Sequence, residues 1–217
     1  PLPPFNVKNK KRDLSYVPTR SDILSIDDSA QTELIPPKKG FHHFRFDTTS
    51  KKGLTLFRFQ KGFPHVTTVK SMMGPLRYIT SNSEYDNLKS SINFKNEIDE
   101  FWIENAGTKK RAKKLIKDFY KRVEIANKNF TSHTEGWKTD RGLIYIIYGK
   151  PNVVNKTKGH EVWVYGEDRF QESFNFRFKH IKNPFTDNDY LLNRNQLYQS
   201  SWYRAVETWR NGRAYTN

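Results

Sequence analysis

Apolar residues recur every three or four positions through the middle of the chain and then, at Gly142, give way to an unbroken apolar run. Leu143-Ile144-Tyr145-Ile146-Ile147-Tyr148, closed by Gly149 and Pro151, has the pattern of a strand buried on both faces. Before it, Ala112, Leu115, Ile116, Phe119, Val123, Ala126 and Phe130 form the stripe of a long amphipathic helix that Thr108 can cap. A shorter helix carries Phe94, Ile98, Phe101 and Trp102 on one face after a cap at Asn93, and another begins at Ser83-Glu84-Tyr85.

On either side of Ser50-Lys51-Lys52-Gly53, Phe44-Arg45-Phe46 and Leu54 to Phe59 alternate, which predicts a β-hairpin; Phe63-Pro64 and Gly74-Pro75-Leu76 then punctuate a loop. After the apolar run, Asn155 to Gly159 predicts a turn and His160 to Tyr165 a strand. In a further strand Phe174, Phe176 and Phe178 face inward, with Asn175, Arg177 and Lys179 outward. Asn183 to Asp189 is a loop, and Tyr198, Trp202, Ala205, Val206 and Trp209 share a helical face that Asn211-Gly212 ends. The expectation is an α+β domain: an antiparallel meander sheet packed against helices, with an extended arm before it. Its parts would be an arm over residues 1–40, a hairpin and loop over 41–80, helices over 82–130, a sheet over 136–181 and a last helix over 195–211.

The arm is rich in Pro, Ser, Asp and Lys and lacks periodicity, so it fits either a connector or a segment lying along a neighbouring protein. In the second case Phe5, Leu14, Tyr16 and Ile23 are its candidate anchors. No apolar run reaches the roughly 18 residues of a membrane span. The chain opens on Pro1, which suggests a portion of a longer, processed or truncated precursor.

Charge changes the picture more than hydropathy does. Lys and Arg number 38 against 23 Asp and Glu, a net +15 that draws anionic partners. Much of the excess falls on the long helix, opposite its apolar stripe: Lys109, Lys110, Arg111, Lys113, Lys114, Lys117 and Lys121, with Arg122 beside them. Cations in the first turns oppose the helix dipole by roughly 0.3–1 kcal/mol each at most, and like charges four apart add a few tenths. That face is either a tolerated solvated surface or a docking site for something anionic. Aromatics make up 15% of the residues, enough to supplement a lean aliphatic core. With no cysteine, disulfides and thiolate metal sites are excluded.

In the turn before the apolar run each residue has a structural task open to it: Gly136 to end a helix at positive φ, Trp137 to anchor the turn, Asp140 to accept backbone N–H groups. The series Gly136-Trp137-Lys138-Thr139-Asp140-Arg141-Gly142, followed by Tyr145-Ile146 and Tyr148-Gly149-Lys150-Pro151, resembles the signature of the GWxTD-domain proteins of Bacteroidota cell envelopes. Gly74 to Thr80, Phe101-Trp102, Arg122-Val123 with Ala126-Asn127, Glu161-Val162-Trp163-Val164-Tyr165, Asn183-Pro184-Phe185, Trp202-Tyr203 and Trp209-Arg210 extend the likeness from Phe41 to Tyr215. The resemblance implies a periplasmic, outer-membrane-associated domain of an exported precursor, with lipid attachment as one way of anchoring it and envelope proteins as partners. It carries over no reaction, cofactor or catalytic residue, only the structural motif Gly136, Trp137, Thr139, Asp140, Arg141, Gly142, Tyr145, Gly149, Pro151, Trp163 and Tyr165.

The leading functional expectation is therefore a non-enzymatic interaction module of an envelope complex. One alternative is an anionic envelope polymer, lipid headgroup or lipopolysaccharide bound on the basic helix. The other is a hydrolase centred on the turn from Gly136 to Gly142, in which His133 and Glu135 join Asp140 and Arg141 as an acid–base cluster. Nucleic acid is disfavoured, because no aromatic RNA-reading motif accompanies the charge. No histidine pair has zinc-hydrolase spacing, and Asp187-Asn188-Asp189 lacks the bidentate Glu of a calcium loop, so no metal site is assigned.

Overall fold

A computed structural model describes residues 1–7, 17–24, 38–50, 52–166 and 173–216. Strands β1 (Gly40–Phe44) and β2 (Leu54–Arg58) form the antiparallel hairpin, in register Phe41 with Phe57 and His43 with Thr55. Helices α1 (Val69–Leu76), α2 (Asn82–Ser90), α3 (Phe94–Ala106), α4 (Lys109–Phe130) and α5 (Asp140–Tyr148) follow. Strands β3 (Val153–Lys156), β4 (His160–Tyr165), β5 (Phe174–His180) and β6 (Tyr190–Leu192) make a four-stranded antiparallel meander in sequence order, and α6 (Gln199–Arg210) closes the chain. The fold class is α+β as expected, with the sheet at 153–192 rather than 136–181.

That shift follows from the main correction. The run from Leu143 to Tyr148 is a helix, preceded by a 3-10 turn at Gly136–Lys138. The Thr139 hydroxyl accepts from the amide of Gly142 and Asp140 occupies the first turn, both favourable at a helix N-terminus. The helix is apolar all round because it is enclosed all round: every residue of α5 except Tyr145 is buried. It lies between α4 on one side and, on the other, the inner face of the sheet, where Tyr148 meets Tyr165 and Phe176 at 5.6 and 5.0 Å.

In two smaller corrections local bonding outweighs the composition of the segment, a cap in one and strand pairing in the other. Gly74-Pro75 sits in the last turn of α1, which a reciprocal Thr68–Ser71 capping box starts. Asn155 and Lys156, expected in a turn, belong to β3, the edge strand paired with β4. β6, only three residues long, is too short to show periodicity and was not foreseen. The remaining elements lie close to expectation. Thr108 caps α4 through the amide of Arg111, whereas Asn93 precedes α3 without a side-chain cap bond.

The core is aromatic. Trp102, Phe119 and Trp209 meet edge to face at 5.3 Å, and Trp163 lies 4.9 Å from Phe178 beneath the sheet. At its rim, Glu84 caps α2 from Ser81 and also accepts two bonds from Arg210 of α6 at 2.8 Å. Arg210 first, and the Ser81 bonds after it, hold the Glu84 pKa down to about 2. A depressed carboxylate stabilises the fold above its unfolded pKa, near 4.5, and that contribution disappears as pH falls toward 2. Melting curves between pH 5 and 2 should therefore show a smaller acid loss for Arg210→Gln than for the parent, and equal losses would contradict the assignment.

Candidate functional site

Two buried ion pairs leave the first turn of α5 in opposite directions. Asp140 receives Arg194 at 2.6 and 3.1 Å and the amide of Leu192 at 2.9 Å, which ties α5 to the end of the sheet. Arg141 reaches Glu161 of β4 at 3.2 Å, donates to the carbonyl of Asn188 at 3.1 Å and also bonds the Asn188 side chain. Its guanidinium lies 4.0 Å from the Tyr190 ring. Burial lowers the Arg141 pKa, with Glu161 opposing the shift. The second Glu161 oxygen accepts from Trp163 Nε1 at 2.6 Å, so the carboxylate is bonded at both oxygens. Asn188 in turn donates to the carbonyls of Asn129 and Thr131, fastening the loop after β5 to the end of α4.

The other end of α5 is covered by a residue expected on the solvent face. Arg122 donates to the carbonyls of Ile146 and Ile147 and to that of Tyr215, with its guanidinium 4.9 Å from the Trp209 ring. It turns inward because its position on α4 flanks the apolar stripe, and burial lowers its pKa. Trp209 Nε1 adds a bond to Ile147 at 3.0 Å.

Gly136 has no positive φ and ends no helix. Its need for glycine is steric: a Cβ there would stand 1.9 Å from the carbonyl oxygen of Ala126 in α4, and one on Gly142 would stand 1.9 Å from that of Gly136. Trp137 is half-buried, its amide donates to Asn127 Oδ1, its carbonyl accepts from the Tyr78 hydroxyl, and its ring lies on Gly74, where a Cβ would come within 2.8 Å. It anchors the turn as expected, against α1 and α4 rather than in the deepest core.

A family model described as the GWxTD domain matches residues 40–211. The chain belongs to that family. No curated protein and no solved structure matches it. The four named positions of the GWxTD motif thus have visible tasks: Gly136 permits contact with α4, Trp137 bridges α1 and α4, Thr139 caps α5 and Asp140 holds Arg194. Farther along the GWxTD domain, Tyr145 packs 5.6 Å from Phe130, and Gly149 takes φ +87° under the Arg122 guanidinium. The Gly149 carbonyl accepts from Tyr165, and Pro151 is buried beside it.

The acid–base cluster does not assemble. Glu135 pairs with Lys138 at 2.8 Å, while Asp140 and Arg141 turn to Arg194 and Glu161. His133 stands 3.6 Å from Asp189, and Ser132 contacts it at 3.3 Å; both contacts fall on Nδ1, whereas a hydroxyl relay needs opposite ring nitrogens. Asp187, Asn188 and Asp189 likewise diverge, with Asp189 accepting from Asn183. Among the described residues no three metal-ligating side chains gather, and no helix is long and apolar enough to cross a membrane.

Two open depressions of about 370 Å³ exist. One is lined by Arg122, Gly149, Lys150 and Tyr215, the other by His160, Arg177, Lys179 and Asn193 on the outer face of the sheet. The basic side of α4 lies apart from both. Lys109, Lys110, Arg111, Lys113, Lys114, Lys117 and Lys121 are all exposed, and none forms an ion pair among the described residues. Of the arm anchors, Leu14 and Tyr16 lie outside the described residues, Ile23 is exposed, and Phe5 packs against Tyr203 of the chain's own α6.

Sequence reading missed Arg122, Glu161 and Arg194 as partners. For Arg122 and Glu161 the one visible signal is a charged residue at the border of an apolar face, which on a helix or strand marks either a solvent edge or an inward bond; Arg194, in the loop after β6, carries no such signal.

The Asp140–Arg194 pair yields a direct test. Removing either partner leaves a buried charge unpaired and should cost about 3–5 kcal/mol. Asp140→Ala with Arg194→Ala together should cost clearly less than the sum of the two single changes in denaturant titrations. Additive losses would show that the two groups do not interact.

Proposed function

We propose that this domain is a structural and interaction module of an outer-membrane-associated, periplasmic protein assembly, docking on an acidic partner protein through the basic side of α4. The observation that carries this reading is the divided use of charge. Arg122, Arg141 and Arg194 are consumed in holding α5, whereas Lys109, Lys110, Lys113, Lys114, Lys117 and Lys121 of α4 are exposed and form no ion pair among the described residues, on a helix whose other side packs into the core. Their mutual repulsion and opposition to the helix dipole favour an anionic surface that relieves both. What supports the compartment and the class of partner in this reading is the resemblance to the envelope proteins of Bacteroidota.

A second reading uses the same face for an anionic lipid headgroup, lipopolysaccharide or envelope polymer, and net charge favours it. The GWxTD turn is the domain's internal brace in either case.

Replacing Lys110, Lys113, Lys114 and Lys117 by Gln separates these possibilities. The protein-docking reading predicts loss of captured envelope protein, a flatter salt dependence and a melting temperature equal to or slightly above the parent's. Loss of binding to anionic phospholipid vesicles or lipopolysaccharide instead would establish the second reading. Unchanged capture of protein and vesicles would refute both.

A further inference from the structure

The hairpin of β1 and β2 has two unlike faces. By register Phe41, His43, Thr55 and Phe57 share one, and His42, Phe44, Leu54 and Leu56 share the other. The first is turned to the domain: the rings of Phe41 and His43 each lie 4.9 Å from that of Phe185, and Phe57, Phe59 and Phe63 continue the row at 6.1 and 4.2 Å. Phe185 stands in the loop whose Asn188 is bonded to Arg141 and to the end of α4, so the hairpin rests on a loop that the brace holds.

The second face and the tip are apolar and wet. Leu54 is 62% exposed, Phe46 in the turn is fully exposed, and Phe44 and Leu56 are half-buried beside them. A two-stranded ribbon is marginal in water, and one with an apolar side left open is a surface suited to a partner. The tip is nevertheless shaped in advance. Asp47 accepts from the amides of Thr49 and Ser50, and Arg45 reaches the carbonyls of Thr48 and Ser50 at 3.4 and 3.3 Å, which fixes the turn that carries Phe46.

The charge around this strip selects its partner. Between residues 38 and 61 seven Lys and Arg stand against a single acid, Asp47, which the turn engages. Arg45 and Lys52 flank the tip, and Lys38, Lys39, Arg58 and Lys61 lie toward the opposite end of the ribbon, all of them exposed. An apolar strip bounded at both ends by cations matches the boundary of an anionic bilayer, where rings and leucines enter the acyl region and long basic side chains reach the phosphates. The strip is also a protruding surface: neither of the two depressions includes a hairpin residue.

We infer that the outer face and tip of the hairpin are a peripheral docking surface for a bilayer of anionic phospholipid. Phe44, Phe46, Leu54 and Leu56 enter the interface, and the cations at the two ends meet headgroup phosphates. The inference rests on the membrane-associated setting of the proposed function, and it uses residues other than the lysines of α4.

The test is sedimentation of the full chain with vesicles of phosphatidylcholine containing about a third phosphatidylglycerol. Phe46→Ser with Leu54→Ser should keep the parent's melting temperature, since both side chains are exposed, and should weaken vesicle binding by about ten-fold or more. Lys39→Gln, Lys52→Gln and Lys61→Gln together should weaken it several-fold and flatten its salt dependence. Replacing the four lysines of α4 by Gln should leave vesicle binding unchanged, and the hairpin variant should capture envelope protein as the parent does, so the two readings fail separately. The chain has no cysteine, so Phe46→Cys can carry an environment-sensitive fluorophore, which should brighten on vesicles, whereas one on Lys113→Cys should not. Equal vesicle binding by the Phe46→Ser, Leu54→Ser variant and the parent, or a fluorophore at position 46 that stays in water, overturns the inference. So does vesicle binding that depends on the α4 lysines alone. Loss of protein capture by the hairpin variant, with no vesicle binding by the parent, would overturn it too and make the strip a protein-docking surface.

Discussion

A helix buried on every side must have its end groups satisfied by protein, because no water reaches them. This requirement, set by α5, organises the rest of the domain. Thr139 and Asp140 meet it at the N-terminus, one by capping the Gly142 amide and the other by placing a carboxylate in the first turn. At the C-terminus the amide of Gly149 bonds the Tyr145 carbonyl, while Arg122 and Trp209 bond those of Ile146 and Ile147. The cation stands where the dipole favours one.

The remaining contacts transmit that arrangement outward. Asp140 carries it through Arg194 to β6, Arg141 through Glu161 to β4 and through Asn188 to the end of α4, and Trp137 through Tyr78 to the chain just after α1. Close approach makes it possible. Gly136 and Gly142 let the 3-10 turn lie against α4 and α5 against the turn, at distances no Cβ permits. A motif so fully engaged inside the fold is a brace.

The sequence made the amphipathic elements legible and the enclosed one illegible. α4, α6 and β5 each have one wet side, so their period of 3.6 or 2 shows in the order of apolar residues. α5 has none, and a short apolar run rich in isoleucine and tyrosine carries no period by which a helix differs from a strand. Thr139-Asp140 before it and Gly149 after it were the available clues to a helix. Charge misled for the same reason: Arg122 and Lys121 are adjacent in sequence, yet the course of α4 turns one to the core and the other to solvent. Family resemblance marks the same stretch because it rests on residue identities, and the steric needs of Gly136 and Gly142 give a reason for two of them.

Amide hydrogen exchange across α5 tests the central claim most directly. If α5 is the enclosed element on which the others close, the amides of Ile144 to Gly149 exchange only through global opening, at the free energy of unfolding measured by denaturant, and Arg122→Met lowers both values together. Exchange of those amides through a local opening well below the global value, or a fall in their protection in Arg122→Met without a change in global stability, would contradict the account.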